Sequence, residues 1–270
     1  MAMENFLEVT MLSVLQGVAE FLPISSSGHL VILQHIFEVP ENLRMRLEVF
    51  LHAGTMLSIF VFYAKRIFML LGGIFAFGSG EETVRRRREA WSYAGRLFVS
   101  TLPAIAIYFS FKDQIESLTA NARMVGALLM FTGAVLIGTR FLPRGTRQVS
   151  WLRALIMGVG QAIALLPGVS RSGMTLASAR GGRVDPDAAA EFSFLMSAPL
   201  ICGGVLLELV KGEVSAGGMS WCVLLWGSAL AAVIGYFSLA LLVKALKGRW
   251  FWLFGPYCIV VGLCTLIFCR

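Results

Sequence analysis

The 270-residue sequence predicts an all-α polytopic membrane protein with an inverted-topology repeat, each half a re-entrant half-helix pair plus three transmembrane helices. Three observations predict it: the composition, the charge of the linkers between long apolar segments, and a polar turn motif that recurs in the second half. The chain is 57% hydrophobic and 14% charged, with mean hydropathy +0.76. An average soluble domain is roughly half apolar and a quarter charged. No cleaved secretory signal is expected, because Met1 to Asn5 lacks a basic region and the apolar run after it carries Gln16 and Glu20.

About 20 residues of helix are needed to cross roughly 30 Å of hydrocarbon. Segments 47–64, 92–111, 122–141, 189–210, 220–243 and 250–269 come close. Their linkers orient them. Lys65, Arg66 and the run Arg85 to Arg88 make one linker strongly basic, hence cytoplasmic. Segment 92–111 then runs outward to a charge-balanced loop with Lys112, Asp113, Glu116 and Arg123. Segment 122–141 returns to Arg140, Arg144, Arg147 and Arg153. Lys244, Lys247 and Arg249 mark another cytoplasmic loop, so 220–243 runs inward and 189–210 outward. Residues 67–80 are too short to span and lie beside basic residues, which suits an interfacial helix.

On this topology, residues 150–186 begin and end on the cytoplasmic side, with Pro167-Gly168 near their middle. That is the pattern of a re-entrant pair of half-helices, and residues 7–38, broken at Pro23, form its counterpart. Backbone broken at membrane depth must line a cavity or be buried in protein. A shift of 145 residues lays Gln161 on Gln16, Ser170 on Ser25, Arg171 on Ser26, Ser172 on Ser27 and Gly173 on Gly28. Each half then has three spans after its re-entrant pair, and an odd number inverts the second copy. One membrane domain, 1–270, thus divides into repeats of about 1–141 and about 150–270, with a site expected where the half-helix ends meet.

The net charge of +7 follows the loops, so it reads as membrane orientation and not as nucleic-acid binding. Cys202, Cys222, Cys258, Cys264 and Cys269 show no metal spacing and read as reduced packing residues.

Gln16 and Glu20 stand one helical turn apart, and a carboxylate there suits proton transfer or metal binding. Ser25, Ser26, Ser27 and Gly28 open the next half-helix, whose first turn leaves amide N–H groups for a phosphate. His29 adds a possible acid, base or nucleophile. Arg171 is the strongest single residue, because its guanidinium fork matches phosphate oxygens; Ser170, Ser172, Gly173 and Thr175 surround it. Of the remaining histidines, His35 is expected to face an interface and His52 could line the cavity, while Asp185, Asp187 and Glu191 are read as a helix start.

These stretches, Gln16 to His29 and Pro167 to Gly173, together with Glu191-Phe192-Ser193-Phe194-Leu195, resemble the undecaprenyl-diphosphate phosphatase family of the bacitracin-resistance type. The resemblance runs across nearly the whole chain. It implies hydrolysis of the C55 polyprenyl diphosphate to undecaprenyl phosphate and inorganic phosphate, which recycles the lipid carrier for peptidoglycan synthesis. It also implies a multi-pass protein of the bacterial inner membrane whose site opens outward. By matched position, Glu20, Ser26, His29 and Arg171 are the catalytic candidates, and Gln16 stands where many members have glutamate. Phosphate binding is expected of Gln16, Ser25, Ser27, Gly28, Ser170, Ser172, Gly173 and Thr175. Glu20 is the one candidate ligand for a divalent cation, Mg2+ or Ca2+, and no acid cluster makes a dedicated cage. The lipid diphosphate and the membrane are the expected partners, a homodimer is left open, and a polyprenyl-phosphate flippase is the alternative activity.

Overall fold

In the computed structural model, residues 2–37, 41–119, 121–210 and 220–268 are described. They are almost wholly helical; among them the one extended contact is an isolated bridge between Arg147 and Val184. Helices α1 (Ala2–Ala19) and α2 (Ser26–Phe37) form the first broken pair. Proline at 23 removes a backbone donor and restricts its neighbour. The chain therefore leaves the helix through Leu22 N to Val18 O and a tight Ile24 N to Leu22 O contact, and Ser25 takes a left-handed φ of 69°.

Helix α3 (Glu41–Phe62) is followed by α4 (Ala64–Ile74), and the two are bent by 74° at the break. Eleven residues rise about 16 Å, well short of the bilayer, so α4 alone is no crossing. It begins three residues earlier than the expected interfacial segment and stops before 75. Helix α5 (Glu81–Thr119) is far longer than segment 92–111. The arginine run is already helical, tied by Glu82 to Arg85 at 2.6 Å and Arg86 at 2.8 Å, and the expected loop at 112–116 continues the helix beyond a kink at Phe111.

Helix α6 (Ala122–Gly138) starts where Asn121 accepts from Met124 N. After an irregular stretch come α7 (Trp151–Ile163) and α8 (Arg171–Gly181), the second broken pair, then α9 (Pro186–Val210), α10 (Trp221–Lys247) and α11 (Phe254–Phe268). Residues 81–115, 122–141, 221–247 and 251–268 are long and apolar enough to cross a membrane, and the bent α3–α4 pair makes a fifth such element. The sixth expected crossing, 189–210, is the 25-residue α9, whose Phe192, Phe194, Leu195 and Met196 pack in the core. Asp185 caps it, accepting from Asp187 N and Ala188 N. Glu191 does not serve the helix start; it binds Arg66 at 2.9 Å and Tyr93 at 3.0 Å.

Small residues set how closely the helices approach. Helices α6 and α11 run antiparallel, with Gly126 against Gly262 and Gly133 against Gly255, each so close that an added Cβ would strike the partner's carbonyl. Helix α1 runs parallel to α10, from Phe6 beside Trp226 to Phe21 beside Gly235. Helix α7 runs parallel to α5, with Trp151 at Gly95 and Gly158 at Ser100. Of the described cysteines, all free, only Cys258 is a buried packing residue; Cys202, Cys222 and Cys264 are exposed, and Cys269 lies outside the described residues, as does the side chain of His35.

Candidate active site

Each turn ends in a serine that caps the helix after it. In the first, Ser25 Oγ accepts from Gly28 N at 3.2 Å; in the second, Ser170 Oγ accepts from Gly173 N at 3.1 Å. These are N-caps of α2 and α8. The two turns then pack against each other. A Cβ on Gly28 would sit 3.1 Å from Gly168 Cα, and one on Gly173 would sit 3.4 Å from Pro23 Cβ. Ser172 Oγ donates to Leu22 O. The free carbonyls are also taken: Thr132 Oγ1 donates to Gly168 O at 3.1 Å, and Cys258 Sγ donates to Pro23 O at 3.5 Å.

This docking brings Glu20 to Arg171 across 151 residues of sequence. The Glu20 side chain is 3% exposed, and a buried carboxylate survives only with partners. It has four: the Arg171 guanidinium, Ser26 Oγ at 2.8 Å, Gln16 Nε2 at 3.1 Å and His52 Nε2 at 3.8 Å. Beside them opens a cavity of about 510 Å³, lined by Glu20, Ser25, Ser26, Ser27, Ser170 and Arg171 from the two turns. Glu48 and His52 of α3, Tyr108 of α5, Gln161 of α7 and Gly204 of α9 complete its wall. Two helix N-termini and one guanidinium around a concave site make an anion-binding geometry.

The structure gathers some expected residues and sets others aside. His29 is turned away from the cavity. Its ring lies one turn back over Ser25, as side chains on a helix lean toward the N-terminus. Nδ1 is 2.8 Å from Ser25 O, and Nε2 is 2.9 Å from Tyr257 Oη, with the two rings stacked. Both nitrogens are therefore engaged, and the residue holds the first turn to α11. Ser172, Gly173, Thr175 and Gly28 likewise do not line the cavity. The first two dock the turns, Thr175 Oγ1 serves Arg171 O and Ser193 Oγ, and the Gly28 amide is spent on Ser25. Gln16 acts through Glu20.

The sequence alone does not place Gln161, Glu48 or Tyr108 in the site, and it marks His52 only as a candidate lining residue. Gln161 had a signal, its alignment with Gln16 in the repeat. The others sit on helix faces that only the packing of α3 and α5 aims inward.

The family model for bacitracin resistance protein BacA matches residues 9–264. The chain belongs to that family. Among its relatives are proteins named undecaprenyl-diphosphatase from Christiangramia forsetii, 35% identical over 271 residues, and Rhodopirellula baltica, 37% identical over 272 residues. A third, from Methanosphaera stadtmanae, is 34% identical over 275 residues. Each pairing covers 98% of both chains.

Among the described residues no three His, Cys, Asp or Glu side chains converge. Glu20, the expected ligand, already accepts from Arg171, Ser26 and Gln16. Its carboxylate lies 2.8 Å from Ser26 Oγ.

Proposed function

We propose that this protein is an undecaprenyl-diphosphate phosphatase, converting the C55 polyprenyl diphosphate to undecaprenyl phosphate and inorganic phosphate. The observation that carries the reading is the Glu20 carboxylate, held between Ser26 of one turn and Arg171 of the other at the wall of an anion-shaped cavity. Relatives named undecaprenyl-diphosphatase align with it end to end. Membership of a bacitracin-resistance family fits the same activity, since it supplies the lipid phosphate carrier for cell-wall synthesis.

The arrangement supports a sequence of steps. The diphosphate enters beside Arg171 and competes with Glu20 for the guanidinium. Its terminal phosphoryl group then lies at the starts of α2 and α8, where fixed N–H dipoles favour the charge that builds during transfer. Released from Arg171, Glu20 takes the Ser26 proton over the existing 2.8 Å contact as Ser26 Oγ attacks the terminal phosphorus. The bond to the bridging oxygen breaks, that oxygen takes the proton from Glu20, and undecaprenyl phosphate leaves with Glu20 ionised again. Glu20 then deprotonates a water that cleaves the phosphoserine, and it returns the proton to Ser26 Oγ as inorganic phosphate is freed. Direct attack by water, with Glu20 as base, is the competing route. It leaves no phosphorylated Ser26 to trap.

The site opens outward in this reading, in the plasma membrane. Loop charges put Arg66 and Arg85 to Arg88 inside, whereas the wall is built from Glu48 at the other end of α3, Tyr108 beyond the middle of α5, and Gly204 late in α9. The inverted repeat belongs to the same proposal. It is supported by the antiparallel α6–α11 pair, by the matched parallel pairs α1–α10 and α5–α7, and by the reciprocal contacts of Gly28 with Gly168 and Gly173 with Pro23.

Phosphate release by the purified protein from C55 polyprenyl diphosphate in detergent tests the function. Release is expected, and Ser26→Ala abolishes the trapped phospho-enzyme. No release, with polyprenyl phosphate still carried across vesicle membranes, would establish a flippase built on the same repeat.

A further inference from the structure

Gln161 ends the last full turn of α7, is 2% exposed and lines the cavity. Neither its Nε2 nor its Oε1 has a hydrogen-bond partner within the protein. Its repeat counterpart differs at the Nε2 group, while Gln16 Oε1 is likewise without a partner. Gln16 Nε2 donates to Glu20 one turn further along the helix. The residue one turn after Gln161 is Leu165, which offers no polar atom and lines the same cavity. The second half thus has the amide without the internal acceptor.

A buried amide with both groups unpaired is costly, about 1–3 kcal/mol for each group, and an apolar side chain of the same shape would remove that cost. The amide is therefore satisfied by what enters the cavity. Arg171 and Ser170 line it beside Gln161, as do the carboxylates of Glu20 and Glu48; the diphosphate of the proposed reaction, by drawing Arg171 from Glu20, brings an anion to this wall. We infer that Gln161 is a substrate-contacting residue, its Nε2–H donating to a phosphate oxygen of the diphosphate and its Oε1 accepting from the water that enters with it. This rests on the phosphatase reading above and assigns the second turn a neutral phosphate contact beside the Arg171 charge. Glu20 acts on the proton; Gln161 acts on the phosphate.

The test uses the full-length protein in detergent with Gln161→Met, Gln161→Glu and Gln161→Asn. Two probes are read: turnover of C55 polyprenyl diphosphate, and binding of inorganic pyrophosphate followed by thermal shift. With Gln161→Met, the Tm in the absence of ligand stays level or rises. KM and the pyrophosphate half-saturation concentration rise about tenfold, as expected for a lost hydrogen bond to a charged group. Gln161→Glu weakens both further, since it sets a second carboxylate against the anion. Gln161→Asn withdraws the amide by one methylene and weakens both in the same direction, which covers a Met variant that does not fold.

Half-saturation and KM within twofold of the parent in all folded variants would overturn the assignment. So would a fall in unliganded Tm that tracks the loss of affinity, since that marks a structural amide. If the parent binds pyrophosphate but releases no phosphate from the lipid, the phosphatase reading fails while the pyrophosphate arm still decides Gln161.

Discussion

The two turns share a serine cap and differ in backbone and charge: the left-handed residue is Ser25 in the first and Gly168 in the second. Both break a helix at proline, both end in a serine that caps the next helix, and both have a carbonyl taken by a side chain of α6 or α11. Yet the first carries Glu20 and Ser26 where the second carries Leu165 and Arg171. A lone Glu20 in a first turn without its mate would be a buried unpaired charge, whereas Arg171, a quarter exposed, would lose only its acid partner. Each turn is completed only by the other. In the proposed reaction the two helix starts face the anion, and the unequal side chains divide the work between grip and proton transfer.

Removing the base breaks the comparison most severely. Glu20→Gln keeps the shape and the contacts to Ser26 while losing proton acceptance, so kcat is expected to fall on the order of 10³-fold, measured as phosphate release with pyrophosphate binding retained. Arg171→Ala removes the grip. It lowers kcat/KM about 10²- to 10³-fold and also destabilises the fold by about 3–5 kcal/mol, because Glu20 is left buried without its guanidinium. The double variant Glu20→Gln with Arg171→Gln separates these effects: thermal unfolding recovers toward the parent and activity does not. Unchanged affinity and turnover in Arg171→Ala would end the division between grip and proton transfer.

The histidines sharpen the first turn's role. His52 approaches the Glu20 carboxylate at 3.8 Å, whereas His29 is spent on Ser25 and Tyr257. His52→Ala is expected to lower kcat/KM about tenfold with little change in Tm. Tyr257→Phe removes a partner of His29 and costs about 1 kcal/mol of stability, leaving kcat/KM within about threefold. If His29→Phe instead abolished turnover at constant Tm, the ring would have to swing into the cavity during catalysis. The smallest effects come from the carbonyl partners. Thr132→Val and Cys258→Ala each destabilise by about 1 kcal/mol or less, read by thermal unfolding, and the threonine change is the larger because Thr132 also accepts from Ser170 N.

Much of this was legible in the sequence because local chemistry dictates it. Apolar runs give helices at 122–138 and 221–247 with serine or asparagine caps, and Pro23 and Pro167 lie in the breaks between half-helices. The 16–20 spacing sets Gln16 under Glu20, and the structure joins them at 3.1 Å. The extension of α5 through Arg85 to Arg88 was hidden, since charge suggested a loop where Glu82 ion pairs support a helix. The role of His29 was hidden too. Proximity to Ser27 in sequence does not fix which way a ring points, and its partner Tyr257 lies 228 residues away.

By itself, then, the sequence determined the membrane class, the two capped breaks and the inventory of Glu20, Ser26 and Arg171. Those follow from hydrophobicity, proline geometry and capping, all effects within a few turns of chain. Only the tertiary structure decided which groups share one cavity. It joined Glu20 to Arg171, brought in His52 and Gln161, and turned His29, Ser172 and Thr175 elsewhere. The physical reason is that side-chain direction depends on which helix faces can meet. Here glycines at 28, 168 and 173 let two turns touch, and their contact sets the site.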